Sequence, residues 1–252
     1  MGGVIFGDSS QGTGLSKTAY MSKDGNVVAF GQWTNDYTTA SSTALGFGVV
    51  RAMEYRLVSQ TEWDNAKKAA SEDIVDSKSA TFIHPSNNMD VILGQGTAAK
   101  ELIEQYGSFD HILVPIGGGG LIAGSALAVK YFGNNCTVIG TEPFEVDDAY
   151  RSLISGKIET NISTNTIADG LRTQLGDKNF PIILNEVKNI IRITEDEIID
   201  SMKLIWQRLK IICEPSCSLP LAGILKNKND FKGKKIGVVI TGGNIDLSNL
   251  PF

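Results

Sequence analysis

Ile112-Leu113-Val114-Pro115-Ile116 runs directly into Gly117-Gly118-Gly119-Gly120 and then into Leu121-Ile122-Ala123-Gly124, and this junction decides the fold. The first five residues are apolar throughout, as in a strand covered on both faces of a sheet. From Leu121 to Phe132 the chain is again apolar, with a length and composition that suit a helix. The four glycines between them let the backbone adopt dihedrals barred to other residues and approach a ligand closely. N–H groups of such a turn, and of the first helical turn after it, converge on an anion with the helix dipole behind them. Strand, glycine turn and helix in this order form an anion-binding unit.

Reading outward, the chain alternates helix and strand from Trp63 onward. Helices are expected over residues 63–72, 91–106 and 121–132, with strands over 80–84, 112–116 and 137–141. Thr194-Glu195-Asp196-Glu197 looks like an N-cap with an acidic first turn, opening a helix that runs to Arg208. Gly237-Val238-Val239-Ile240 is a further buried strand, ending in Thr241-Gly242-Gly243-Asn244. This alternation implies an α/β fold with a mostly parallel sheet and right-handed crossovers. Residues 1–62 are different: rich in Gly, Ser, Thr and Asn, with short alternating runs such as Asn26-Val27-Val28-Ala29-Phe30 after the turn signal Lys23-Asp24-Gly25-Asn26. Gly48-Val49-Val50-Arg51 is another strand candidate. A two- or three-stranded β-rich piece of this kind has little core of its own. The expected division is therefore a β-rich segment over 1–62 and an α/β part over 63–252.

Composition narrows the function. The 252 residues are 42% hydrophobic, enough to bury one large core or two small ones. Net charge is -5, the pI is near 5.1, and no Lys/Arg block stands out, which argues against a nucleic-acid groove or a polybasic membrane patch. No apolar run approaches the roughly 20 residues needed to span a bilayer, and the opening residues lack the pattern of a signal peptide. Cys136, Cys213 and Cys217 match neither a zinc nor a disulfide spacing and are expected as free core thiols. A soluble, cytoplasmic protein is the expectation.

Taken alone, the glycine turn admits more than one reading. Gly118-x-Gly120-x-x-Ala123 fits the looser dinucleotide fingerprint, and Glu142 follows where a ribose-binding acid would sit. The glycines could also serve only close helix–strand packing. The rest of the chain adds His84-Pro85-Ser86-Asn87-Asn88, Gly94-Gln95-Gly96-Thr97, Glu142-Pro143 with Asp147-Asp148, Thr166-Ile167-Ala168-Asp169-Gly170, Glu214-Pro215-Ser216 and Thr241-Gly242-Gly243-Asn244. With the glycine turn these make seven collinear motifs. In that order and spacing they resemble the serine racemase and serine/threonine dehydratase family, the fold-type II pyridoxal-phosphate enzymes. The resemblance covers about residues 63–252.

That resemblance implies the large domain of a fold-type II enzyme, in incomplete form. It implies pyridoxal 5'-phosphate as cofactor, its phosphate cradled by Gly117, Gly118, Gly119 and Gly120. Thr241 matches the hydroxyl residue facing the pyridine nitrogen, which leaves that nitrogen largely unprotonated and suits elimination and racemisation at Cα. Glu214 and Asp169 match acids near the cofactor, Asp169 on the substrate side, though each could equally be a cap or loop acid. Glu142, Val146 (through its carbonyl) and Asp148 match the divalent-cation site of the racemase-like branch, for which Mg or Ca is expected; a solvated acidic loop is the other reading. A small amino acid as substrate and a homodimer as assembly follow from the family.

Two parts of the family pattern do not occur here. One is the Ser-x-Phe-Lys-x-Arg-Gly type segment whose lysine forms the internal imine; the other is the Ser-Ser-Gly-Asn-His substrate loop. Ser16-Lys17-Thr18-Ala19 is the nearest imitation of the first and Ser41-Ser42-Thr43 a poor stand-in for the second. No catalytic residue is recognisable beyond Lys17 as a substitute. In their place, residues 25–31 with Trp33-Thr34-Asn35-Asp36 resemble one repeat of a β-propeller-like array. The expectation is a fusion of unlike pieces: a truncated relative, inactive as written, of an enzyme that deaminates serine or threonine or inverts serine, with marginal stability alone. A non-catalytic binding module for a phosphorylated ligand or a dinucleotide is the alternative.

Overall fold

The computed structural model describes residues 83–252 throughout and, before them, the backbone of four strands. The chain divides into two compact units, Met1–Pro85 and Ser86–Phe252.

In the first unit the strands β1 (Ile5–Gly7), β2 (Ser16–Met21), β3 (Val28–Trp33) and β4 (Gly48–Val50) form an antiparallel sheet in the order β1-β2-β3-β4. Met21 pairs with Val28, so the hairpin predicted from Lys23-Asp24-Gly25-Asn26 joins β2 to β3. Four strands are described in this segment rather than two or three; both Ile5–Gly7 and Ser16–Met21 lie outside the runs that the alternating pattern picks out. Lys17 lies in β2, opposite Phe6 and Gln32; its side chain is outside the described residues, as are the predicted helix over 63–72 and Ser41, Ser42 and Thr43. Of the strand predicted over 80–84, only Ile83 and His84 are described, and neither is in a strand.

The second unit is built on a parallel sheet of β5 (His111–Pro115), β6 (Thr137–Pro143), β7 (Val187–Ile193) and β8 (Ile236–Val238), in the order β7-β6-β5-β8. The register sets Ile112 against Val138 and Gly237, and Leu113 against Ile139 and Val238. Side chains alternate across a strand, and the core divides accordingly. Ile112, Val114, Val138 and Ile190 pack into one buried cluster, while Leu113, Ile139, Ile191 and Ile193 pack into another. Every β5 residue after His111 is buried, as an all-apolar strand requires.

Helix α1 (Met89–Gln95), α2 (Thr97–Tyr106), α3 (Gly120–Phe132) and α5 (Phe180–Glu186) contribute to the first cluster. α6 (Glu195–Leu209) and α7 (Pro215–Lys226) contribute to the second, and α4 (Asp148–Ser155) follows β6. The single helix expected over 91–106 is two helices, broken at Gly96. There the chain presses on α3: a Cβ on Gly96 would lie 2.5 Å from the Gly124 carbonyl oxygen. α6 starts as predicted, with the reciprocal Thr194–Glu197 capping box in place. β6 runs two residues beyond the predicted 137–141. The strand expected over 237–240 is Ile236–Val238, although the Val239 N–H still donates to the Leu113 carbonyl at 3.1 Å.

Candidate functional site

The strand order places the site. β6 and β7 extend the sheet to one side of β5, and β8 returns to the other side, so the winding direction reverses between β5 and β8. In open α/β sheets that switch point opens a crevice beyond the carboxyl ends of the strands. The two loops leaving those ends are the glycine turn after β5 and Thr241-Gly242-Gly243-Asn244 after β8.

The glycine turn forms the N-terminus of α3. Gly119 is its cap residue with φ +82°, a left-handed conformation natural to glycine. A Cβ at this position would sit 2.7 Å from Leu175 Cδ2 and 2.8 Å from Asn179 Oδ1. The Gly119 carbonyl accepts the first helical bond, from the Ala123 N–H at 3.1 Å. Among the described residues, no group accepts a hydrogen bond from the N–H of Gly118, Gly119, Gly120, Leu121 or Ile122. Five donors at a helix N-terminus make a cradle for an anion. Beside Gly117 the Gly170 carbonyl oxygen and Thr173 Oγ1 each lie 3.0 Å from where a Cβ would be, so the 169–173 turn walls the cradle.

That turn carries Asp169, at the start of a short 3-10 helix (Asp169–Leu171), and the Gly170 N–H donates to Ser216 Oγ at 3.1 Å. Ser216 is in the first turn of α7, next to its cap Glu214. The Glu214 N–H donates to the Gly242 carbonyl at 3.0 Å, and Glu214 Oε2 accepts from the Asn244 N–H at 3.0 Å. Burial and then the neighbouring Asp169 charge push the Glu214 carboxyl up, while the Asn244 N–H opposes this. The structure therefore gathers Gly117, Gly118, Gly119, Gly120, Asp169, Glu214 and the loop that begins at Thr241 around one crevice. Thr241 itself is solvent-exposed.

Glu142, Val146 and Asp148 form a second cluster, at the end of β6 and the start of α4. Glu142 is 1% exposed, Val146 and Asp148 fully buried. Glu142 Oε1 accepts from the Ala149 N–H (3.0 Å) and Oε2 from the Tyr150 N–H (2.9 Å). Asp148 Oδ2 accepts from the Leu175 N–H at 3.1 Å, while Asp148 Oδ1 is buried without a hydrogen-bond partner among the described residues. Among the described residues nothing donates to the Val146 carbonyl. Burial, then the charge of Asp148, drive the Glu142 carboxyl well up; burial drives Asp148 up to about 7. No group of three or more His, Cys, Asp or Glu side chains that could hold a metal occurs among the described residues.

This geometry corrects the dinucleotide reading. A ribose-binding acid must present its oxygens to the crevice, whereas Glu142 is enclosed and both its oxygens are bonded to the start of α4. The three cysteines are free, Cys213 and Cys217 buried and Cys136 half-buried. No helix among the described residues is long and apolar enough to cross a membrane. One residue of the crevice wall escapes a reading of the sequence: Asn179, fully buried beside Gly118 and Gly119. Its only local signal is the Pro181 that follows it in the first turn of α5, and this says nothing about a loop some 60 residues earlier.

Comparison with known proteins gives the family. The chain is 46% identical over 191 residues to serine racemase of Dictyostelium discoideum, covering 73% of this chain and 58% of that one. It is 47% identical over 171 residues to beta-hydroxyaspartate dehydratase of Paracoccus denitrificans, covering 68% of this chain and 54% of that one. The crystal structure of the Dictyostelium serine racemase superposes with a TM-score of 0.68 at 45% identity, over 73% of this chain and 60% of that one. The chain thus spans less than two thirds of the length of these relatives. Residues 9–242 match the family described as pyridoxal-phosphate dependent enzymes, and to that family the chain belongs.

Proposed function

We propose that the second unit holds pyridoxal 5'-phosphate in the crevice between β5 and β8, and that it derives from an enzyme of the serine racemase and amino-acid ammonia-lyase type. One observation carries the reading: five backbone N–H groups at the N-terminus of α3 that have no acceptor among the described residues, in a family whose cofactor bears a phosphate. Gly117, Gly118, Gly119 and Gly120 would bind that phosphate. Thr241 would face the pyridine nitrogen with a neutral hydroxyl, and Glu214 and Asp169 would border the ring and the substrate. When bound, the cofactor supplies an electron sink at Cα of an amino acid, and the protein supplies binding, orientation and electrostatics.

The similarity to a racemase and to a hydroxyaspartate dehydratase supports small amino acids as the substrate class. A homodimer and a cytoplasmic location extend the same reading. Glu142, the Val146 carbonyl and Asp148 would hold a divalent cation, Mg or Ca. The donor set fits a hard ion, with all-oxygen ligands and one buried carboxylate oxygen left without a partner. Chemistry at Cα also needs a lysine to move the proton. None of the seven motifs supplies one, and Lys17, inside the matched residues 9–242, is the nearest imitation of the family's lysine.

The test is to add pyridoxal phosphate to the purified 252-residue chain, reduce with borohydride, and map any modified lysine while assaying serine deamination and inversion. Bound cofactor with no stoichiometric lysine label and no turnover is the expected outcome. Serine turnover lost on Lys17→Ala would overturn the inactive reading, and absence of any cofactor binding would overturn the whole of it.

A further inference from the structure

Asn179 ties together three stretches of chain far apart in sequence. Its Nδ2 donates to the Gly118 carbonyl at 2.7 Å and to the Ser86 carbonyl at 2.9 Å, and its Oδ1 accepts from the Gly176 N–H at 3.1 Å. Both amide hydrogens are thus in use, inside a fully buried site. The backbone beneath is fixed as well. The Asn179 carbonyl accepts from the Ile182 and Ile183 N–H groups, and Pro181 stiffens the first turn of α5.

The consequence for the glycine turn follows from peptide geometry. A trans peptide is planar, with its C=O and N–H pointing in opposite directions. Bonding the Gly118 carbonyl to Asn179 therefore turns the Gly119 N–H away from Asn179, and no described group accepts from it. Four consecutive glycines have the least intrinsic preference for any one orientation of their peptides. An external clamp is what gives them one.

We propose that Asn179 is a positioning residue for the phosphate cradle, holding the Gly118–Gly119 peptide so that the Gly119 N–H is aimed at the phosphate of the cofactor. The inference rests on the phosphate-cradle reading above. A residue that merely cements the fold would weaken all ligands alike, whereas this clamp acts on phosphate recognition. The discriminating quantity is the ratio of affinities for pyridoxal phosphate and for pyridoxal, which lacks the phosphate.

The experiment measures both dissociation constants by equilibrium dialysis on the full chain, for wild type and for Asn179→Ala and Asn179→Asp, which both lose the two donors. Expected is about tenfold to hundredfold weaker pyridoxal phosphate binding, the scale of a hydrogen bond to a charged group, with pyridoxal changed less than about twofold. Parallel weakening of both ligands, or no change in either, overturns the inference while leaving the cradle intact. A wild-type chain that binds the two equally defeats the cradle reading and this inference with it. Should neither variant fold, the Gly119 amide resonance of wild type is followed during titration with inorganic phosphate. A shift at Gly119 is the expected result, and an unmoved Gly119 amide overturns the inference.

Discussion

Stability of the cation-free chain should fall as pH rises from 4 to 8, through Asp148. Its carboxyl is fully buried, and burial lifts it to about 7, against the opposing Leu175 N–H and the nearby Arg151 charge. An unfolded aspartate titrates near 3.9. The folded value is the higher one, so between the two the native state binds more protons than the unfolded state. The stabilisation is then complete below the unfolded value and is lost as pH rises through the folded one. For Asp148 the stability lost, relative to the fully protonated carboxyl, is about 4 kcal/mol at pH 8 and only about 0.5 kcal/mol at pH 4. Glu142, pushed up by burial and by the Asp148 charge, acts in the same direction. Asp148→Asn keeps the shape and the acceptor for Leu175 without the charge. Urea unfolding in chelator should find the variant more stable than wild type by up to about 4 kcal/mol at pH 8, with the gap closing toward pH 4. Millimolar Mg or Ca should stabilise wild type at pH 8 and not the variant. A gap independent of pH, or a variant less stable at pH 8 in chelator, would show that Asp148 is not held protonated in the fold.

Other consequences are simpler to check. Ser125 Oγ is fully buried on α3 without a partner among the described residues, so Ser125→Ala should stabilise by about 1 kcal/mol and raise the Tm by about 2–4 °C; a loss of stability would reveal an acceptor there. Gly124→Ala would drive a methyl group into the Ile92 carbonyl and to 2.6 Å from the Gly96 nitrogen, which should destabilise by about 2–3 kcal/mol, read by urea unfolding. Burial lifts the Cys136 thiol to about 11; at pH 8 its alkylation should be about a hundredfold slower than that of a free thiol, and a rate near the free thiol's would contradict this.

Much of the second unit was legible because its signals are local. The all-apolar run from Ile112 lies in a strand, His111–Pro115, covered on both faces, the glycine turn does open α3, and the Thr194 capping box starts α6. β7 was not legible. Lys188 and Asn189 are exposed within it and break the apolar run that marks a buried strand. α7 carries Pro220 in its interior, against the usual reading of proline as a helix stop. In the site, motif order identified the residues around the crevice, but the commitment of Glu142 to the start of α4 and the clamp of Asn179 on Gly118 are tertiary contacts. A single sequence carries no mark of either.

Binding of the cofactor phosphate by the glycine turn can be read from the phosphorus NMR spectrum of pyridoxal phosphate with the purified chain and its Gly119→Asp variant. One bound phosphate resonance per wild-type chain is expected, shifted from free cofactor and absent in the variant, whose carboxylate would occupy the cradle. A wild-type chain that is folded yet leaves only the free resonance, or a variant that keeps the bound one, would contradict it.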